Sequence, residues 1–70
     1  MAEQVRSEIA GSVWRILVAD GDTVSEGHEI VTLESMKMEI PVVATAAGKI
    51  TLAVVEGAAV AEGEVIAVIE

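Results

Sequence analysis

Glu34-Ser35-Met36-Lys37-Met38-Glu39-Ile40-Pro41 is the stretch that decides how this chain folds. Apolar, β-branched runs flank it, Glu29 to Leu33 before and Ile40 to Ala44 after. Two such runs joined by a few residues form a β-hairpin, here with Met36-Lys37 at its tip. A two-residue hairpin loop favours Asn-Gly or Asp-Gly, because both central residues need positive φ. Met-Lys offers no such relief, and local rules tend to be broken where function requires it. Lys37 is a candidate functional residue on these local grounds alone.

Outward from the tip, the sequence repeats. Residues 36 positions apart match without a gap: Ala10 with Ala46, Val18 with Val54, Gly21 with Gly57, Val24 with Val60, Ile30 with Ile66 and Glu34 with Glu70. Two copies are too few for a solenoid, so two similar halves packed face to face about a pseudo-twofold axis are expected. Under that symmetry the Met36-Lys37 hairpin is equivalent to the break between the chain ends. Lys37 is therefore expected at the end of the molecule away from both termini.

Each half divides into short strands. Val5 to Ile9 forms a first strand with Val5, Ser7 and Ile9 on one side. Trp14, Ile16 and Val18, with their repeat mates Ile50, Leu52 and Val54, are expected to face the core, because the intervening positions include Arg15, Lys49 and Thr51. Trp14 is thus placed in the core or at the rim of the barrel. Asp20-Gly21-Asp22 and Glu56-Gly57 end these strands, since Gly and Asp tolerate turn angles. Val24 and Val60 point inward, and Ile30 to Leu33 and Val65 to Ile69 close the two halves. The continuous apolar runs of these closing strands leave their facing undecided. No helix of consequence is expected. Pro41 belongs at a sheet edge, where its missing N–H is tolerated, and His28 in an exposed turn.

Seventy residues make a single domain, 1–70, with room for one thin core. The chain has no cysteine and one histidine, so disulfides and Cys/His metal clusters are excluded. Twelve acidic residues against four basic give a net charge of −8. Nucleic-acid binding, which needs a basic face, is not expected. The N-terminal Met-Ala-Glu-Gln-Val-Arg lacks the apolar stretch of a signal peptide, and no apolar run approaches a membrane span. A soluble, cytoplasmic, monomeric protein, complete from Met1, is the expectation.

Ser35-Met36-Lys37-Met38 with its sequel Glu39-Ile40-Pro41 closely resembles the attachment motif of biotinyl carrier domains. Gly21-Asp22-Thr23-Val24-Ser25-Glu26-Gly27 resembles the turn segment of the same biotinyl/lipoyl fold. The second copy departs from it by placing Ala58 where the first has Asp22, which is expected to loosen a turn hydrogen bond. The resemblance implies an all-β fold, a flattened β-barrel or sandwich of two four-stranded antiparallel sheets. With no insertion between its first strands, the chain is expected to lack the protruding thumb of some biotinyl carriers.

The resemblance also implies a function, that of a stand-alone carrier with no catalysis of its own. Biotin protein ligase would join biotin to the Lys37 amine, and Met36 and Met38 would be recognition residues beside it. Glu34 and Glu39 would orient the tip or meet basic ligase residues. Catalytic lysines are activated by burial or by cationic neighbours. Lys37 has neither by sequence, so it reads as a substrate for an enzyme that brings its own activation. The biotin would carry a carboxyl group between biotin carboxylase and carboxyltransferase sites. The alternative implied by the family is a lipoyl carrier of a 2-oxo acid dehydrogenase or glycine cleavage system, or a dual acceptor of biotin and lipoate. Lipoyl carriers usually show Asp-Lys-Ala at this hairpin, so both methionines argue for biotin. A reading from another class, an unmodified assembly module, leaves the Lys37 motif without a use.

Overall fold

Turn residues cut the chain into eight strands in the computed structural model, which describes residues 2–70. They are β1 (Glu3–Arg6), β2 (Gly11–Ile16), β3 (Thr23–Val24), β4 (Glu29–Ser35), β5 (Met38–Val43), β6 (Gly48–Leu52), β7 (Ala59–Val60) and β8 (Val65–Ile69). No helix occurs among the described residues. The strands form two four-stranded antiparallel sheets, ordered β1-β8-β6-β3 and β5-β4-β2-β7. Moving each strand four places along the chain turns one order into the other. That interchange is the pseudo-twofold expected from the repeat.

Hydrogen bonds repeat with the strands. Gly21 N donates to Ile50 O at 2.7 Å, and Gly57 N to Val13 O at 2.8 Å. Leu52 N donates to the Asp20 carboxylate at 2.7 Å, and Ile16 N to that of Glu56 at 2.9 Å. In each case a turn of one half holds a strand of the other. Where Asp22 accepts from Ala19 N at 2.9 Å, Ala58 has no carboxylate to do so. The backbone bond across that second turn is correspondingly longer, 3.2 Å for Ala58 N to Val55 O against 3.0 Å for Asp22 N to Ala19 O.

The core lies between the sheets. Val24 and Val60 are both inward and buried, as their positions between glycines predict, with Val5, Ile30, Leu33, Ile50, Ile66 and Ile69 around them. The undecided facing of the closing strands has a structural cause. Glu29 pairs with Val43 and Val31 with Val42, leaving Ile30 as an extra residue; Ile66 is extra in the same way between Val65 and Ala67. A bulge sets two residues against one, so Ile30 with Val31, and Ile66 with Ala67, can be consecutive and all fully buried.

Three expectations need correction. The first strand runs Glu3–Arg6 and stops before Ile9, because the Ser7 hydroxyl donates to Ile9 O and Ser7 N to Glu64 O, drawing the chain out of line. Trp14 is not a core residue: it is 44% exposed, while its expected mate Ile50 is fully buried. The reason is a third bulge. Val13 pairs with Leu33 and Arg15 with Thr32, so Trp14 is extra, whereas Ile50, Thr51 and Leu52 pair with Ile69, Val68 and Ala67 without interruption.

The repeat consequently needs one gap. After Trp14 the offset is 36, as in Leu17 N to Ile30 O and Ala53 N to Ile66 O. Before it the offset is 37: Ser7 bonds Gly63 and Glu64 as Ala44 bonds Gly27 and His28. Gly11 and Gly48 are likewise equivalent (48 − 11 = 37), each lying against the backbone oxygen of Glu34 or its mate Glu70. Val13, 2% exposed, takes the core place that Ile50 fills in the other half. Trp14 has no counterpart in β6.

Candidate attachment site at the hairpin tip

Strands β4 and β5 pair from Glu29–Val43 up to Ser35–Met38, which leaves Met36 and Lys37 as a two-residue loop. Both take positive φ, 53° and 66°. This is the φ pattern demanded of a type I′ turn, here without glycine or asparagine. A left-handed conformation costs a residue with a side chain about 1–2 kcal/mol, so the surrounding ladder holds the tip against its local preference. Lys37 is exposed, and Met36 and Met38 are 92% and 61% exposed. No core contact explains these methionines; they are apolar surface offered outward. Glu34 and Glu39, also exposed, face each other one pair below Ser35–Met38.

Two contributors to the site escaped the sequence reading. The Ser35 hydroxyl donates to Ala10 O at 3.0 Å, tying the end of β4 to the segment before β2. Gly11 lets the strands close there, since a Cβ on it would lie 2.6 Å from Glu34 O. Nothing local to the serine beside Met36 says that its partner lies 25 residues away. Sequence-near contacts and folded-chain contacts are different information.

Lys37 sits away from the chain ends. Strand β1 starts beside the C-terminus, with Glu3 opposite Ile69, and by Ala10 the chain has reached the tip, where Ser35 bonds it. Eight residues thus span the length of the sandwich (10 − 3 + 1). A groove of about 260 Å³ lies between the edge strands β1 and β5, lined by Val5, Ile9, Leu33, Ile40, Pro41 and Val42 among others. It does not take in Met36, Lys37 or Met38. The lysine therefore projects from a surface and is not housed in a cleft. Pro41 lies on edge strand β5, as its missing donor requires.

An amine to be acylated by another protein needs exposure, a fixed base and room around it. The tip provides all three, and its donor set is a single amine with flexible apolar neighbours, which fits a covalently held, partly apolar group such as biotin. No helix of the described residues is long and apolar enough to cross a membrane.

Residues 2–69 match a family model described as biotin-requiring enzyme. The chain is 49% identical over 70 residues to a biotinylated protein TB7.3 homolog of Mycobacterium leprae (strain TN), covering 99% of each chain. It is 43% identical over 63 residues to a biotin/lipoyl attachment protein of Bacillus subtilis (strain 168), covering 89% of this chain and 86% of that protein. Among solved structures, the Kluyveromyces lactis urea carboxylase superposes with a TM-score of 0.92 at 37% identity, over 100% of this chain and 6% of that one. A single-chain, multi-domain long-chain acyl-CoA carboxylase superposes with a TM-score of 0.87 at 28% identity, over 96% of this chain. This chain spans only 7% of that carboxylase.

Proposed function

The chain belongs to the biotin/lipoyl attachment family, and on that premise we propose that it is a biotin carrier whose Lys37 amine is joined to biotin in amide linkage. The observation that carries this reading is the position of Lys37, exposed in a two-residue loop in which both φ angles are positive. Such a tip is held rigid by its ladder, and rigid elements place groups better than loops do. Biotin, when attached, takes up a carboxyl group at one active site and releases it at another.

The chain's own residues supply presentation. Lys37 gives the reactive nitrogen, and a biotin protein ligase supplies the activated acyl group. Met36 and Met38 offer adaptable apolar contacts to whichever partner pocket receives the tip. Glu34 and Glu39 put negative charge beside it, which favours approach to basic partner surfaces. The partners proposed are that ligase and the biotin carboxylase and carboxyltransferase of a biotin-dependent carboxylase. Support comes from relatives named as biotinylated proteins and from the superposition on domains of two carboxylases. The proposed role is transport of a group between active sites, with bond-making left to the partners.

The test is intact mass after incubation with biotin, ATP and a biotin protein ligase. Wild type should gain one biotinyl increment and Lys37→Arg none, because a guanidinium is too weak a nucleophile to acylate. Circular dichroism should show the same fold for both. Labelling of Lys49 in the variant would sink the assignment.

A further inference from the structure

Trp14 stands out once the hairpin is accounted for. Two of the three bulges, at Ile30 and Ile66, are repeat mates and serve the core. The third, at Trp14, occurs only in the sheet that carries Lys37. Its effect is to lift a large aromatic out of the core while Val13 takes the inward place. Bulges re-aim side chains and concentrate near functional sites. Trp14 remains 44% exposed, and the Arg15 guanidinium lies over its ring at 4.6 Å from the centroid.

The strand order puts this pair on the sheet of the tip. Ser12, Glu34 and Glu39 form one row across β2, β4 and β5; Val13, Leu33 and Ile40 form the next, and Arg15, Thr32 and Pro41 the row after that. The Pro41 row lies four residues along β5 from Lys37 (41 − 37), about 13 Å at about 3.3 Å per residue, and β2 lies two strands across from β5, about 10 Å at about 4.8 Å per strand. A lysine side chain carrying biotin, when extended, brings the fused ring to about the resulting diagonal distance. The chemistry agrees as well. Biotin ends in a fused ring with apolar faces and a polar ureido carbonyl. An indole face takes the first, and guanidinium N–H donors suit the second.

We propose that Trp14 and Arg15 form a resting site on which the biotinyl group of Lys37 folds back against the outer face of its own sheet. The proposal holds only for a chain biotinylated at Lys37, as argued above. One aromatic face and one guanidinium make a weak site, yet a tethered group meets it at high effective concentration. The group is thus kept partly out of water while the carrier moves and is released without difficulty to a partner pocket. Trp14 and Arg15 are positioning residues in this scheme.

Trp14 is the only tryptophan, and the chain has no tyrosine or phenylalanine, so intrinsic fluorescence reports this site alone. The experiment compares unmodified protein with protein shown by intact mass to carry one biotinyl group. With Arg15 over one indole face, covering the other should lower the acrylamide quenching constant and shift emission to shorter wavelength. Lys37→Arg treated with the same ligase should behave as unmodified protein. A full biotinyl increment with an unchanged quenching constant overturns the resting site and leaves attachment at Lys37 standing. Absence of any increment overturns both.

Discussion

Glu34 stands directly opposite Glu39 across the β4–β5 hairpin, separated from the Met36-Lys37 loop only by the Ser35–Met38 pair. Like charges directly opposite one another in an antiparallel ladder are destabilising, and a cross-strand pair is worth about 0.2–1 kcal/mol. The fold tolerates this repulsion next to the exposed Lys37. Glu39→Gln should therefore raise stability by about 0.2–1 kcal/mol while slowing modification by the ligase. Urea denaturation and initial rates of biotin incorporation measure the two effects. A variant no more stable than wild type would show that the pair is relaxed by solvent.

The backbone of the tip leads to a second expectation. Met36 holds a φ of 53°, which asparagine adopts more easily than methionine. Met36→Asn should stabilise the protein by about 1 kcal/mol, the left-handed penalty of one residue. Denaturation midpoints at equal slope check this. Destabilisation would mean that the methionine side chain packs on the hairpin after all.

Core truncations should act without touching the tip. Val24 and Val60 are repeat mates buried to 2% and 5% exposure. Val24→Ala and Val60→Ala each remove methyl groups and leave a cavity, costing on the order of 1–3 kcal/mol. Biotin incorporation by the folded variants should match wild type. Unequal losses would show that the halves are equivalent in topology but not in packing.

The residues beside Lys37 should bear on cofactor choice. Met36→Asp with Met38→Ala gives Lys37 the neighbours usual in lipoyl carriers. Two contacts worth about 1–2 kcal/mol each would move the ratio of biotin to lipoate attachment by roughly 30- to 1000-fold. Competition between purified biotin and lipoate ligases, read by intact mass, measures that ratio. If it does not move, the position of the lysine on the hairpin is what the ligases read.

The amino-acid order by itself determined the hairpin, its tip and the chemistry on offer there. Those follow from short-range facts: strand-forming runs on both sides of Met36-Lys37, a lone amine between two methionines, and glycines at Gly21 and Gly57 where the chain must turn. It also determined that the molecule has two similar halves, since Val24 and Val60 or Ile30 and Ile66 recur in step. Only the tertiary structure decided which face each residue takes beyond a bulge. Strand patterns are read with a period of two, and one extra residue reverses the phase of everything before it. An ungapped match of the halves therefore set Trp14 against Ile50 in the core, when Val13 fills that place and Trp14 faces outward. The bond from Ser35 to Ala10 and the close approach of Gly11 to Glu34 were hidden for a related reason. Each joins segments that meet only after both sheets have formed, so no local preference in either segment encodes the contact.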